Sequence, residues 1–157
     1  MVLDTPLVAR RAVDQLTANI PDGPTIRRQL QEFLRNFAQQ SAEKLEVLTF
    51  SGADVEAAAG VNLAAEARRV YALVFWKATD TNYAAMHFYN DNTTPFDDGS
   101  VRTAVGLAGP DHSTVVVDPL GMAYASGVSA ASQTSIGGST ASPAGQGPSG
   151  FVIVGEL

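Results

Sequence analysis

Apolar residues crowd most densely between Arg69 and Tyr89, RVYALVFWKATDTNYAAMHFY, in two short runs separated by the polar tetrapeptide Thr79–Asn82. Alternation across a strand puts Val70, Ala72, Val74 and Trp76 on one face and Tyr71, Leu73 and Phe75 on the other. Both faces are apolar, so the strand is expected to be covered on both sides. The polar step predicts a turn, and Tyr83–Tyr89 then reads as the returning arm of a hairpin, with Ala84, Met86 and Phe88 opposite Ala85, His87 and Tyr89.

Upstream the period changes. Thr5-Pro6 reads as a capped helix start, and Leu7, Val8, Ala12, Val13 and Leu16 follow on one face. Pro21-Asp22-Gly23-Pro24 stops that helix. Thr25 caps a second one, in which Ile26, Leu30, Phe33, Leu34 and Phe37 form an apolar stripe flanked by Arg27 and Arg35. The stripes must be buried on each other, on the sheet domain or on another chain, and two short helices alone cannot bury both fully. The stripe and its two arginines are therefore the candidate partner-binding residues, a subunit or capsid contact, and removal of residues 1–40 is expected to leave a folded domain that no longer associates.

From Ala42 onward, short apolar runs recur about every ten residues between Gly, Pro, Asn and Asp, the pattern of a β-sandwich or jelly roll. Candidate strands are Lys44–Phe50, Val55–Leu63, the two arms described above, Ser100–Leu107, Ser113–Val117, Met122–Val128 and Phe151–Gly155. The expected fold is thus mainly β, about eight strands at residues 42–157, preceded by a helical extension at residues 1–41. Ala57–Ala59 and Ala64–Ala67 favour helix and cut against the strand at Val55–Leu63.

Composition narrows the function. The chain has 157 residues, a net charge of −6 and no cysteine. Its length is enough for a domain-sized core without staples. The lack of cysteine excludes disulfides, thiolate metal sites and a cysteine nucleophile. The acidic balance argues against nucleic-acid binding. Residues 1–40 carry a net +1, leaving −7 for the remainder, so docking of the N-terminal part on an acidic partner is one expectation. The opening MVLDTPLVARR carries Asp4 and lacks a continuous apolar stretch, so neither a secretory signal nor a membrane span is expected.

Candidate chemistry is sparse. His87 reads as a partly buried strand residue, and His112 belongs to a Gly-Pro-Asp-His turn with no nucleophile in view. Asp91, Asp97 and Asp98 with Asn90 and Asn92 are oxygen-rich, yet lack the ordered spacing of a calcium loop. Gly137–Gly150 is rich in small residues without the lysine of a phosphate loop, and is a second candidate for a contact that orders on assembly. Trp76 with Tyr71, Tyr83, Tyr89 and Tyr124 could stack on sugars, although each lies in a strand pattern. No enzyme activity, metal or cofactor is expected.

The order Arg69-Val70-Tyr71-Ala72-Leu73-Val74-Phe75, Thr79-Asp80-Thr81-Asn82, Met86-His87-Phe88-Tyr89-Asn90, Thr93-Thr94-Pro95 and Pro119-Leu120-Gly121-Met122-Ala123-Tyr124-Ala125-Ser126-Gly127 resembles small β-sandwich virion structural proteins of tailed bacteriophages. The likeness covers about residues 53–157, and Trp76-Lys77-Ala78 stands where an Asn-Thr step is usual. It implies a capsid cement or decoration protein on the virion surface, made in the host cytoplasm, binding the major capsid protein and self-associating, with a trimer favoured. The alternative it allows is a tail or fibre module that binds a host surface or carbohydrate.

Overall fold

The computed structural model describes residues 1–40, 44–56, 60–77, 83–92, 102–109, 113–134 and 140–157. The expected turn at Thr79–Asn82, His112, Thr93–Pro95, Asp97 and Asp98 lie outside them. In chain order the elements are β1 (Val2–Leu3), α1 (Pro6–Leu16), α2 (Gly23–Gln40), β2 (Leu45–Phe50), α3 (Gly52–Glu56), β3 (Val61–Ala64), β4 (Arg68–Trp76), β5 (Ala84–Asn90), β6 (Arg102–Ala108), β7 (Ser113–Tyr124), β8 (Val128–Gln133) and β9 (Ser149–Glu156). The fold is mainly β. A five-stranded sheet runs β1-β2-β9-β4-β7 and a four-stranded sheet runs β3-β8-β5-β6, with every pairing antiparallel.

The two sheets face each other across one apolar cluster. Val70, Leu73, Phe75, Val152 and Val154 come from the first sheet, and Met86, Phe88, Val128 and Ala130 from the second. This arrangement is compatible with a β-sandwich. It corrects the hairpin reading of Arg69–Tyr89, because β4 pairs with β7 and β9 whereas β5 pairs with β6 and β8. The two arms belong to opposite sheets. A strand apolar on both faces satisfies either arrangement, so local pattern alone could not choose.

The alternation within β4 also departs from expectation. Val70 opposes Val154 and Ala72 opposes Ile153, so Tyr71 is the extra residue of a β-bulge. Tyr71 consequently joins Ala72 and Val74 on the outer side, while Val70 moves to the inner side with Leu73 and Phe75. One inserted residue reverses the faces on either side of it.

The outer side of the five-stranded sheet is covered by the N-terminal helices. Ala9, Ala12, Val13, Ile26, Leu30, Phe33 and Leu34 share a cluster with Leu45, Val47, Tyr71, Ala72, Val74, Phe151 and Ile153. Strand β1 pairs with β2. Residues 1–40 therefore form a third layer and an edge strand of the same fold, in place of the separate extension expected at 1–41. Thr5 starts α1 by accepting the Val8 N–H at 3.2 Å, with Pro6 at the first helical position. At the corner, a Cβ on Gly23 would lie 2.3 Å from the Thr17 carbonyl oxygen, so only glycine fits there.

Two further strand expectations shift. Val55–Leu63 takes in the end of α3 and the start of the short β3; Ala57–Ala59 lie outside the described residues, and Ala64, expected to favour helix, ends β3. Met122–Val128 is divided by a turn between β7 and β8, and the small-residue strand β8 (VSAASQ) carries no apolar run that would have announced it. Helix α3 is fixed by Asp54, whose carboxylate accepts the Ser51 N–H at 2.8 Å and its hydroxyl at 2.7 Å. These bonds, the backbone one foremost, hold the Asp54 carboxyl below its ordinary value of 3.8. A carboxyl lowered on folding contributes stability above its unfolded value and loses it as pH falls through the folded value. Asp54→Asn is thus expected to remove part of the stability loss seen in thermal melts as the pH drops from about 5 towards 2, with little change in pH dependence above that range.

Candidate functional site

The stripe expected to meet a partner is instead packed inside the chain. Leu30 is fully buried and Ile26, Phe33 and Leu34 nearly so, all within the cluster on the outer face of the five-stranded sheet. Phe37 is half-buried and meets Tyr71 edge-on at 4.8 Å between ring centroids. Arg27 is committed to α1: its Nε donates to Thr17 Oγ1 at 3.0 Å and lies 3.7 Å from Asp14. Gln31 adds a donated bond to Asp14 at 2.9 Å. Arg35 alone of the seven is exposed. The physical reason is in β4: a strand apolar on both faces requires two covers, and the second is α2.

That cover stops short of the sheet edge. Beside α2 lies an open groove of about 500 Å³, with Phe33, Phe37, Val115, Val117 and Pro119 as its apolar floor and Gln29, Glu32 and Asn36 as its polar wall. Strand β7 borders it. Among the described residues β7 pairs only with β4, so its other side presents free backbone N–H and C=O groups. Val116 opposes Leu73 and thus points to the sandwich interior, where it remains 40 % exposed.

Of the residues quoted for the bacteriophage likeness, Arg69–Phe75 and Met86–Asn90 lie within β4 and β5, and those near residues 118–127 lie where strands are joined. Opposite the Tyr71 bulge, β7 loops out through residues 118–121. Gly121 adopts φ +75°, and a Cβ there would lie 2.3 Å from Arg69 Cγ and 2.8 Å from Tyr71 Cε1. Arg69 Nη1 donates to the Leu120 carbonyl at 3.4 Å. Farther along, the Ser126 N–H donates to Asn90 Oδ1 at 2.8 Å and the Asp91 N–H to the Gly127 carbonyl at 3.1 Å, joining the β7–β8 turn to the end of β5. Tyr124 is fully buried in the inter-sheet cluster.

Most of the remaining candidates among the described residues pack within the fold. His87 is fully buried rather than partly, with Nδ1 3.3 Å from the Tyr89 hydroxyl, which accepts from Gln133 Nε2 at 3.3 Å. Trp76 meets Phe151 edge-on at 6.3 Å. Tyr71, Tyr89 and Tyr124 are buried, whereas Tyr83 is exposed. In the described part of the glycine-rich loop, residues 140–150, Glu56 of α3 accepts the N–H groups of Gly145 at 3.0 Å and Gly147 at 2.9 Å. Among the described residues no group of three or more His, Asp or Glu side chains gathers in a way that could hold a metal, and no helix is long and apolar enough to cross a membrane.

The chain matches no known family model, no curated protein and no solved structure.

Proposed function

We propose that this chain is a structural protein of a tailed-bacteriophage virion, a cement or decoration protein that binds the shell of major capsid protein and acts without chemistry. The observation that carries the reading is the strand order. Leaving β1 aside, the sheets run β2-β9-β4-β7 and β3-β8-β5-β6, an order we read as that of an eight-stranded jelly roll built from two Greek keys. That architecture is used by viral capsid and lectin domains, and the step from it to function is one of fold analogy. It is supported by the likeness to small virion proteins and by the close approach of Arg69, Tyr71 and Gly121, which are among the residues that carry it.

Such a protein works by mass action. Binding that favours assembled subunits over separate ones stabilises the shell in proportion to the free energy of docking, and no bond is made or broken. A docking area of roughly 1,200–2,000 Å² would suffice for a specific contact. The test is immunogold electron microscopy of virions from cells that produce the chain, with antibody raised against the purified protein. Label over the heads is the expected result. Label confined to tails or fibres, with retention on immobilised glycans, would move the assignment to a host-surface module, and unlabelled virions would overturn the virion role.

A further inference from the structure

We infer that β7 is the seat of self-association: its free edge pairs antiparallel with the β7 edge of a second copy, extending the five-stranded sheet across a two-fold axis. Natural sheet edges are guarded by charge, proline or a bulge. In β7 those guards begin only at Asp118, Pro119 and the outward loop of residues 118–121. Ser113–Val117, STVVV, has none, and four of its five residues are β-branched.

The chemistry of this edge selects its occupant. Free backbone groups require an extended strand, and the apolar groove floor beside β7 requires apolar side chains on the face that strand turns towards α2. A second Ser113–Val117 supplies both. In the register centred on Val115, Val115 meets its own copy and Val117 meets Ser113 on the groove face, while Thr114 meets Val116 on the inner face. Cross-strand pairs of β-branched residues are favourable, and no like charges face each other. The inner pairing also covers Val116, which is 40 % exposed in the single chain. A two-fold interface of one patch on itself is the commonest closed solution for a homo-oligomer. Because each copy carries −6, added salt should strengthen the pairing. The pairing gives an even-numbered assembly in place of the trimer implied by likeness, and it stands whether or not the chain belongs to a virion.

The absence of cysteine makes the test direct. Light scattering on a size-exclusion column, over a range of protein and salt concentrations, should give a dimer for the wild-type chain. Val116→Lys should give a monomer with unchanged far-ultraviolet circular dichroism. Val115→Cys should form an intermolecular disulfide on mild oxidation, since residues directly opposed across two strands lie within disulfide reach. Leu120→Cys, at a position 83 % exposed but in the outward loop, should not. A wild-type chain that is monomeric at every concentration and salt level would overturn the inference. So would a dimer that survives Val116→Lys, or crosslinking at residue 120 without crosslinking at 115. Should Val116→Lys fail to fold, the pair of cysteine variants decides the matter alone.

Discussion

Deletion of residues 1–40 is expected to abolish cooperative folding, because it uncovers the outer face of the five-stranded sheet. Leu45, Val47, Tyr71, Ala72, Val74, Phe151 and Ile153 all pack under α1 and α2. Leaving a large apolar side chain in water instead of buried costs about 1.5–3 kcal/mol. Six of the seven are large, so the loss is of order 10 kcal/mol, which rivals the whole stability of a typical domain at about 5–15 kcal/mol. The truncated chain should aggregate or bind a hydrophobic dye and show no sharp thermal transition. Leu30→Ala, at the fully buried centre of the stripe, probes the same packing more gently and should cost about 2–5 kcal/mol in urea unfolding. A truncated chain that melts cooperatively as a monomer would place the helices outside the fold.

Gly127→Ala is expected to be strongly destabilising. Gly127 sits at φ +138°, and a Cβ there would lie 2.6 Å from the Ala64 carbonyl oxygen, 2.9 Å from that of Asp91 and 3.0 Å from Asn92 Cα. All three are backbone atoms, unable to swing aside as a side-chain tip does. Forced occupation of such a conformation costs about 1–3 kcal/mol before any clash, so a total loss of about 3 kcal/mol or more is expected. Gly145→Ala is the control. Its φ is +78° and nothing lies within 4 Å of the added atom, so only the left-handed conformation is penalised. That penalty is about 1–2 kcal/mol. Equal losses in chemical denaturation of the two variants would mean that the close approach of the β7–β8 turn to the ends of β3 and β5 does not constrain the fold.

These effects rest on features that the sequence discloses unevenly. Period was enough to find two N-terminal helical stretches and the strands at Leu45–Phe50, Val70–Trp76 and Phe151–Gly155, because each has an apolar rhythm that only one kind of element satisfies, although α2 starts at Gly23 and takes in Thr25, expected as its cap. Strand β8 escaped because Ser and Ala are small enough to be buried without looking apolar. The bulge at Tyr71 escaped because its cause lies across the sheet, where β9 offers no residue opposite it.

The groove beside α2 was the least legible feature. Its residues come from distant parts of the chain, and nothing local to Ser113–Val117 distinguishes an edge strand from a central one. The stripe on α2 was visible from spacing alone, yet what it covers was not. An apolar face states only that it must leave water; the same rule served equally for a second chain or for the protein's own sheet. By itself the sequence determined the mainly β class, the amphipathic helices, the lack of thiol chemistry and the scarcity of titratable groups, since these depend on residue identity and on contacts a few positions apart. Only the tertiary structure decided which sheet each strand joined, that Ile26 to Phe37 closes on β4 and β9, and that β7 is left at the edge. Those outcomes depend on pairing between segments as far apart as β2 and β9, where the apolar surfaces are nearly interchangeable and the choice is made by how all of them can be buried at once.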